Sequence, residues 1–380
     1  MASQHHRGPL VFLLLVAAST ARSQEFRYVE GKHAGGELRY INTLPVLSVG
    51  GAPEQIGEQV AALTAKSIQP LLNYPKDYLR RSKAEALWPA LVVAGKLMQP
   101  NFPSDYQREM EAGLKHSGVD RDLVIVGNTM FDFKKIGGCS TLAIEAPRST
   151  TGGPLLGRNL DFPTLGLLEK FSLVLICRPE VKRAFASVGF PGVLGCLSGM
   201  NDAGLAVATL EVNLSADGAT AFNPLGTPYA MCFRRILEEC TTIEEAQKLL
   251  LAMKRTTPMN LAICDRQRAA VLEMTPKSVV LRASEQGLCP CTNHFRSTEL
   301  ALSTACRRYE ALDESRQMPK LGLPEVAARL HAAHQGAATF QTMIFEPATL
   351  KLHLAIGACP SSALPMKELD LQPLLANSPL

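Results

Sequence analysis

The chain has 380 residues, with 39 Lys and Arg against 35 Asp and Glu and a formal net charge of +4. So small an excess, with no clustering of basic and aromatic residues, excludes a nucleic-acid groove as the working surface. Hydrophobic residues make up 46% of the chain; with no Pro, Gly or Ser-rich linker and no internal repeat, this fits one large domain or two.

Residues 1–7 carry Arg7, an apolar run covers 10–18, and the small-residue stretch Ser19-Thr20-Ala21-Arg22-Ser23 follows. This is the pattern of an export signal, cut near residues 21–23. The run is too short for a membrane span, which needs about 20 apolar residues. The expected mature protein is secreted or periplasmic, with no stable membrane insertion. Ten Cys in an exported chain raise the question of disulfides. Cys177, Cys196, Cys232 and Cys264 sit within apolar stretches, however, and read as small buried hydrophobes. Cys289 and Cys291 are closer together than a CxxC metal or redox motif requires, and any pairing of Cys359 stays open.

Between 53 and 117 the apolar residues recur at three and four: Ile56, Val60 and Leu63, then Leu87, Leu91 and Val92, then Met110 and Leu114. That spacing predicts a mostly helical front segment. From Gly137-Gly138-Cys139 the pattern changes to short strands separated by turn residues, at 139–145, 155–162, 171–178, 184–190 and 204–212. Helices are predicted at 229–240 and 243–254, strands at 261–264, 270–274, 279–282 and 289–295, and helices at 299–312 and 323–334. A hairpin, 340–345 with 350–356, closes the chain. This order predicts an α+β protein of two antiparallel sheets flanked by helices.

Cys139 follows two glycines where helical sequence gives way to strand, and glycine allows backbone conformations closed to other residues. Attack of this thiol on the Gly138 carbonyl would convert the peptide to a thioester, and water would release Cys139 as a new chain terminus. A freed terminal cysteine combines a nucleophile with its own base, because an α-amine titrates near 8. From Gly-Gly-Cys alone, a structural cysteine at a buried strand edge is the competing reading.

The next predicted strand carries Gly157-Arg158-Asn159-Leu160-Asp161-Phe162, a cation and a carboxylate within an apolar run. Three residues apart, they point to opposite faces of a strand unless a bulge intervenes. Arg158 is suited to stabilise a thiolate and Asp161 to orient a new α-ammonium; the competing reading is an ordinary salt bridge.

Four blocks in order, Gly138-Cys139-Ser140-Thr141, the 157–162 run, Gly199-Met200-Asn201-Asp202-Ala203-Gly204-Leu205 and Thr292-Asn293-His294-Phe295, resemble the choloylglycine hydrolase and acid ceramidase superfamily. Within it, the chain is most similar to the acyl-coenzyme A:6-aminopenicillanic acid acyltransferase-like (isopenicillin-N acyltransferase-like) branch. Upstream, 51–57 (GAPEQIG) resembles that branch's propeptide. The resemblance implies a four-layer αββα sandwich of the N-terminal-nucleophile (Ntn) hydrolase type and self-cleavage between Gly138 and Cys139. It divides the chain into a signal peptide (1–23), a helical propeptide or small subunit (24–138) and a catalytic subunit (139–380).

Carried over by motif, Cys139 is nucleophile and its amine the base, Arg158 and Asp161 position them, and Asn201 and Asn293 are oxyanion contacts. Neutral amide donors suit that task, although Asn201 also opens a Gly-containing turn and fits a turn-forming role. A further site Arg is expected on the next helix. Arg308, followed by an aromatic residue, is favoured over Arg307; neighbours on a helix diverge by about 100°, so one of the two faces the site.

His331 and His334 lack acidic or Cys partners for a metal, and an N-terminal amine makes His294 unnecessary as a base. No metal or cofactor is expected. The function read from these residues is an exported, self-activating cysteine amidohydrolase that cleaves a linear, non-peptide or peptide-like C–N amide bond of a small molecule. Alternatives are acyl transfer from the same acyl-enzyme, and a non-catalytic binding relative.

Overall fold

A computed structural model describes residues 26–133 and 137–376; the expected export signal, 1–23, lies outside the described residues. The front segment opens with strands β1 (Gly31–His33), β2 (Gly36–Ile41) and β3 (Leu44–Gly51). Two-residue turns join them, with positive φ at Ala34, Gly35, Asn42 and Thr43, the geometry that matches the twist of a tight hairpin. Six helices follow: α1 (Pro53–Thr64), α2 (Gln69–Leu72), α3 (Tyr74–Arg81), α4 (Trp88–Met98), α5 (Ser104–Ser117) and α6 (Arg121–Phe133). Helix α5 stops at Gly118, left-handed at φ 66°, a conformation that glycine adopts without a Cβ penalty.

The front segment thus adds three strands, β1 to β3, ahead of the helices that the spacing predicted over 53–117. The run 44–51 is buried almost throughout and so shows no alternation to mark it as a strand.

After Gly137 come β4 (Gly138–Ile144), β5 (Leu155–Asp161), the short helix α7 (Leu168–Phe171), β6 (Leu173–Pro179), β7 (Phe185–Gly189), β8 (Ser198–Asn201) and β9 (Ala206–Glu211). Helices α8 (Tyr229–Glu239) and α9 (Ile243–Ala252) precede β10 (Met259–Cys264), β11 (Ala269–Met274), β12 (Val279–Ala283) and β13 (Leu288–Cys291). Helix α10 (Arg307–Asp313) is shorter than the 299–312 predicted. Then come α11 (Leu323–Ala332), β14 (Thr339–Glu346), β15 (Lys351–Ala355), β16 (Lys367–Asp370) and α12 (Gln372–Leu375).

The strands form two sheets, a ten-stranded one in the order β1-β2-β3-β6-β7-β8-β9-β10-β11-β12 and a six-stranded one in the order β13-β4-β5-β14-β15-β16. All pairings are antiparallel except β3 with β6, a second departure from the sequence expectation. The sheets face each other, with β4 and β5 against β9 and β10; α1, α8 and α9 cover the larger sheet and α10 and α11 the smaller. This is an αββα sandwich.

Alternation along β4 explains its place in the sandwich. Cys139 and Ala143 join the core between the sheets, while Leu142 and Ile144 pack with Val326 and Leu330 of α11. None of the ten cysteines is in a disulfide. Among the described residues, no helix is long and apolar enough to cross a membrane.

Candidate active site

Cys139 is the second residue of β4, with Gly138 opposite Asp161 and Cys139 opposite Leu160 on β5. The Gly138–Cys139 peptide thus lies in a hydrogen-bonded strand. Gly138 has no positive φ, so conformational freedom is not what requires glycine here. Space is: a Cβ on Gly138 would lie 1.7 Å from Nε2 of Gln335.

Four polar side chains gather around Cys139: Arg158 and Asp161 from β5, Asn293 from the loop after β13 and Arg308 from α10. The Cys139 amide donates to Oδ1 of Asn293 at 2.7 Å, and the Cys139 carbonyl accepts from Nη1 of Arg308 at 2.6 Å. Arg308 also donates through Nη2 to Oδ1 of Asn293 at 2.9 Å and lies 3.8 Å from Oδ2 of Asp161. Arg158, wholly buried, brings Nη2 to 3.8 Å from the Cys139 sulfur while its Nη1 donates to the Thr209 carbonyl. A register shift between β5 and β14 at Thr339 and Gln341 lies next to Asp161. Its carboxylate accepts there from Thr339 Oγ1 at 2.5 Å and Gln335 Nε2 at 2.8 Å.

Burial pushes the Cys139 thiol above its ordinary range; Arg158 pulls it down, while Asp161 and Glu211 add to the rise. Burial likewise raises Asp161, opposed by hydrogen bonds from Gln335 and Thr339 and by the charges of Arg308 and Arg158. In the uncut chain the thiol is therefore held neutral, next to a buried guanidinium.

The other candidates divide. Arg308, not the exposed Arg307, faces Cys139. Asn293 is at the site but turns its oxygen to Cys139, and its Nδ2 donates to the Glu211 carbonyl at 2.9 Å. In this state it anchors the Cys139 nitrogen and does not offer an oxyanion donor.

Asn201 is not brought to Cys139. Its Nδ2 donates to the carbonyls of Leu237 and Cys240, and its Oδ1 accepts from the amides of Ala203 and Leu205. Two of these bonds tie the 201–205 turn to the end of α8 and the other two close the turn itself, which is the work of a turn former. His294 turns its ring nitrogens to Thr292 and Arg296, and burial, with help from Arg296 and Arg282, lowers it to about 4.

Three functional residues escaped the sequence reading. Glu211 lines the cavity of about 380 Å³ at Cys139, and its Oε2 accepts from the Gly137 amide at 2.9 Å. The signal was present, since Glu211 interrupts an apolar strand just as Arg158 does. Gln335 and Thr339 hold Asp161, but Gln335 lies in the turn after α11 and Thr339 opens β14, with nothing in the sequence to single them out.

For metal, His33, Glu58 and His116 offer three ligand atoms within 4.8 Å of one another; they come from β1, α1 and α5 and do not line the Cys139 cavity.

Residues 148–320 match the model of the acyl-coenzyme A:6-aminopenicillanic acid acyl-transferase family. Over that stretch, which is less than half of its length, the chain is similar to this family. The matched stretch contains Arg158, Asp161, Glu211, Asn293 and Arg308, and begins just after β4. It agrees with the branch read from the sequence motifs.

An uncharacterized protein of Archaeoglobus fulgidus is 22% identical over 309 residues, covering 72% of this chain and 51% of the relative; the chain thus spans about half that relative's length. Among solved structures, a conjugated bile acid hydrolase variant from Clostridium perfringens aligns at 14% identity and TM-score 0.45, covering 63% of this chain and 95% of that one. Penicillin V acylase from Agrobacterium tumefaciens aligns at 13% and 0.44, over 61% and 86%. The Caenorhabditis elegans N-acylethanolamine-hydrolyzing acid amidase ortholog aligns at 15% and 0.43, over 55% and 93%.

Proposed function

We propose that this acyl-transferase relative is an exported cysteine amidohydrolase that frees Cys139 by its own cleavage and then works through an acyl thioester on that residue. The observation that carries the reading is the convergence of Arg158, Asp161, Asn293 and Arg308 on Cys139. A structural cysteine needs none of them.

In the first reaction the Cys139 sulfur attacks the Gly138 carbonyl carbon. A C–S bond forms, the C–N bond breaks, and the thiol proton passes to the Cys139 nitrogen. Water then hydrolyses the thioester, leaving a carboxylate at Gly138 and a free thiol and α-amine at Cys139. Asn293 and Arg308, already bonded to the Cys139 backbone, hold the residue in place, and Asp161 supplies a negative partner for the new ammonium.

In the second reaction the α-amine takes the thiol proton, and the thiolate, stabilised by Arg158, attacks the substrate amide. The amine product leaves with that proton, and water releases the acid. Passing the acyl group to an amine instead of water is a second reading, favoured by the name of the matching family.

Segment 24–138 is proposed to remain as a small subunit, because β1, β2 and β3 extend the larger sheet and α1 packs on it. The test is release of 4-nitroaniline from phenylacetyl-4-nitroanilide. Activity is expected from the cleaved wild type and not from Cys139→Ala; equal activity from both would remove Cys139 from the mechanism.

A further inference from the structure

The front segment brings together three side chains able to ligate a metal that the chemistry at Cys139 does not use. His33 ends β1, Glu58 lies midway along α1, and His116 stands in the last turn of α5. One ligand atom from each lies within 4.8 Å of the other two. His33 Nε2 is 2.8 Å from Oε1 of Glu58, and the imidazoles of His33 and His116 meet edge to face with centroids 5.2 Å apart. All three are at least partly open to solvent, so an ion can reach them. They lie too far apart in the chain to form a motif, which is why the sequence reading expected no metal.

An ordinary surface ion pair accounts for His33 and Glu58 alone. It does not account for the second imidazole, nor for how firmly the three backbones are braced. Helices α1 and α5 touch at Gly57, next to Glu58, and at Gly113, a turn before His116. A Cβ on Gly57 would collide with the Glu109 carbonyl, and one on Gly113 would lie 3.3 Å from the Gly57 carbonyl oxygen. Gln59, also next to Glu58, donates to the carbonyl of Ala34, the neighbour of His33, at 2.8 Å. Its amide also pairs with both backbone groups of Gly50 on β3. Arg108 and Glu54 pair across the same two helices at 3.1 Å. The three ligands therefore stand on fixed elements, as a precise site requires.

Donor chemistry selects the ion. Two imidazoles and one carboxylate are the three-ligand set of an open zinc site, whose fourth position is left to water, whereas Ca²⁺ and Mg²⁺ take oxygen ligands. Tetrahedral bonds of about 2.0 to 2.1 Å put ligand atoms roughly 3.3 Å apart, so rotation of the open side chains closes the group. The end of α5, with its partial negative charge, adds to the attraction for a cation.

We propose that His33, Glu58 and His116 bind Zn²⁺, and that the ion ties the β1–β2 hairpin to α1 and α5. All three ligands precede Cys139, so cleavage before that residue would leave the site whole. The assignment holds whether or not Cys139 is a catalytic nucleophile.

Cys139→Ala protein, purified without a histidine tag, is titrated with ZnCl₂ by isothermal calorimetry and with CoCl₂ by visible absorption, alone and with His33→Ala, Glu58→Gln or His116→Ala. The parent is expected to bind one ion per chain. Each variant should raise the dissociation constant at least about tenfold, because losing a group that merely orients a ligand already costs about 10- to 100-fold. Bound Co²⁺ should show d–d bands without a thiolate charge-transfer band, which excludes the cysteines as ligands. Zn²⁺ should raise the Tm of the parent and leave that of the His116→Ala chain unchanged, while Ca²⁺ and Mg²⁺ raise neither. His116 is exposed, so its variant probes the site in an intact fold. No binding by the parent, binding unchanged in His116→Ala, or a thiolate band accompanying the bound ion overturns the proposal.

Discussion

Replacing Gly138 by Ala probes the contact between the scissile bond and the turn after α11. The new Cβ would fall 1.7 Å from Nε2 of Gln335, but that atom ends a flexible side chain and can swing away. What is lost is the 2.8 Å hydrogen bond to Oδ2 of Asp161, a buried carboxylate that keeps Thr339 as partner on its other oxygen. Leaving one buried acceptor unmatched costs about 1 to 3 kcal/mol, so Gly138→Ala is expected to destabilise by about 1.5 kcal/mol.

Gln335→Ala removes the same bond and should cost a similar amount. The double variant should then cost little more than either single one, giving a coupling of about 1.5 kcal/mol. The assay is urea denaturation in a Cys139→Ala background, where self-cleavage cannot confuse the transition. Additive losses in the double variant, or a Gly138→Ala chain as stable as its parent, would refute the contact as the reason for glycine at 138.

Arg308→Gln removes the donors to Cys139 O and Asn293 Oδ1 and should slow self-cleavage by at least about tenfold, or 1.4 kcal/mol; Arg307→Gln should stay within about twofold, both read by the rate of chain splitting on gels. Asn201→Ala should act on stability, costing about 2 to 4 kcal/mol for its four lost hydrogen bonds. Its folded fraction should keep kcat within about threefold, whereas losing an oxyanion donor costs about a hundredfold; a hundredfold loss in a stable Asn201→Ala protein would restore its oxyanion role. Because burial raises the Cys139 thiol, the thiolate fraction at pH 7 lies below that of a free cysteine, whose pKa is near 8.5. The self-cleavage rate should therefore keep climbing through pH 9, and a plateau below pH 8 would contradict this sign.

The later half of the fold was legible because its short apolar runs are separated by turn residues, glycine and proline among them. Charged residues inside apolar runs, Arg158 and Asp161, pointed to the site for the reason that burial of a charge demands a partner. The strand β3 was lost because it is buried on both faces and gives no period of two. Asn201 misled because a Gly-containing Asn turn and an oxyanion amide look alike in sequence. Only the fold reveals that α8 takes up both of its amide hydrogens. Asp161 reaches its partners beside an irregularity between β5 and β14, which the residues of β5 alone do not encode. Gln335 and Thr339 become visible once β14 is paired with β5, and Arg308 is separated from Arg307 once α10 is set against β4.

The central claim is that Cys139 is released as a chain terminus by its own thiol. Intact mass spectrometry of purified wild type and Cys139→Ala tests it most directly. The expected result is a wild type split between Gly138 and Cys139, with Cys139→Ala whole and equally folded by circular dichroism. A folded wild type that stays as one chain, or a Cys139→Ala protein that splits at the same bond, would contradict it.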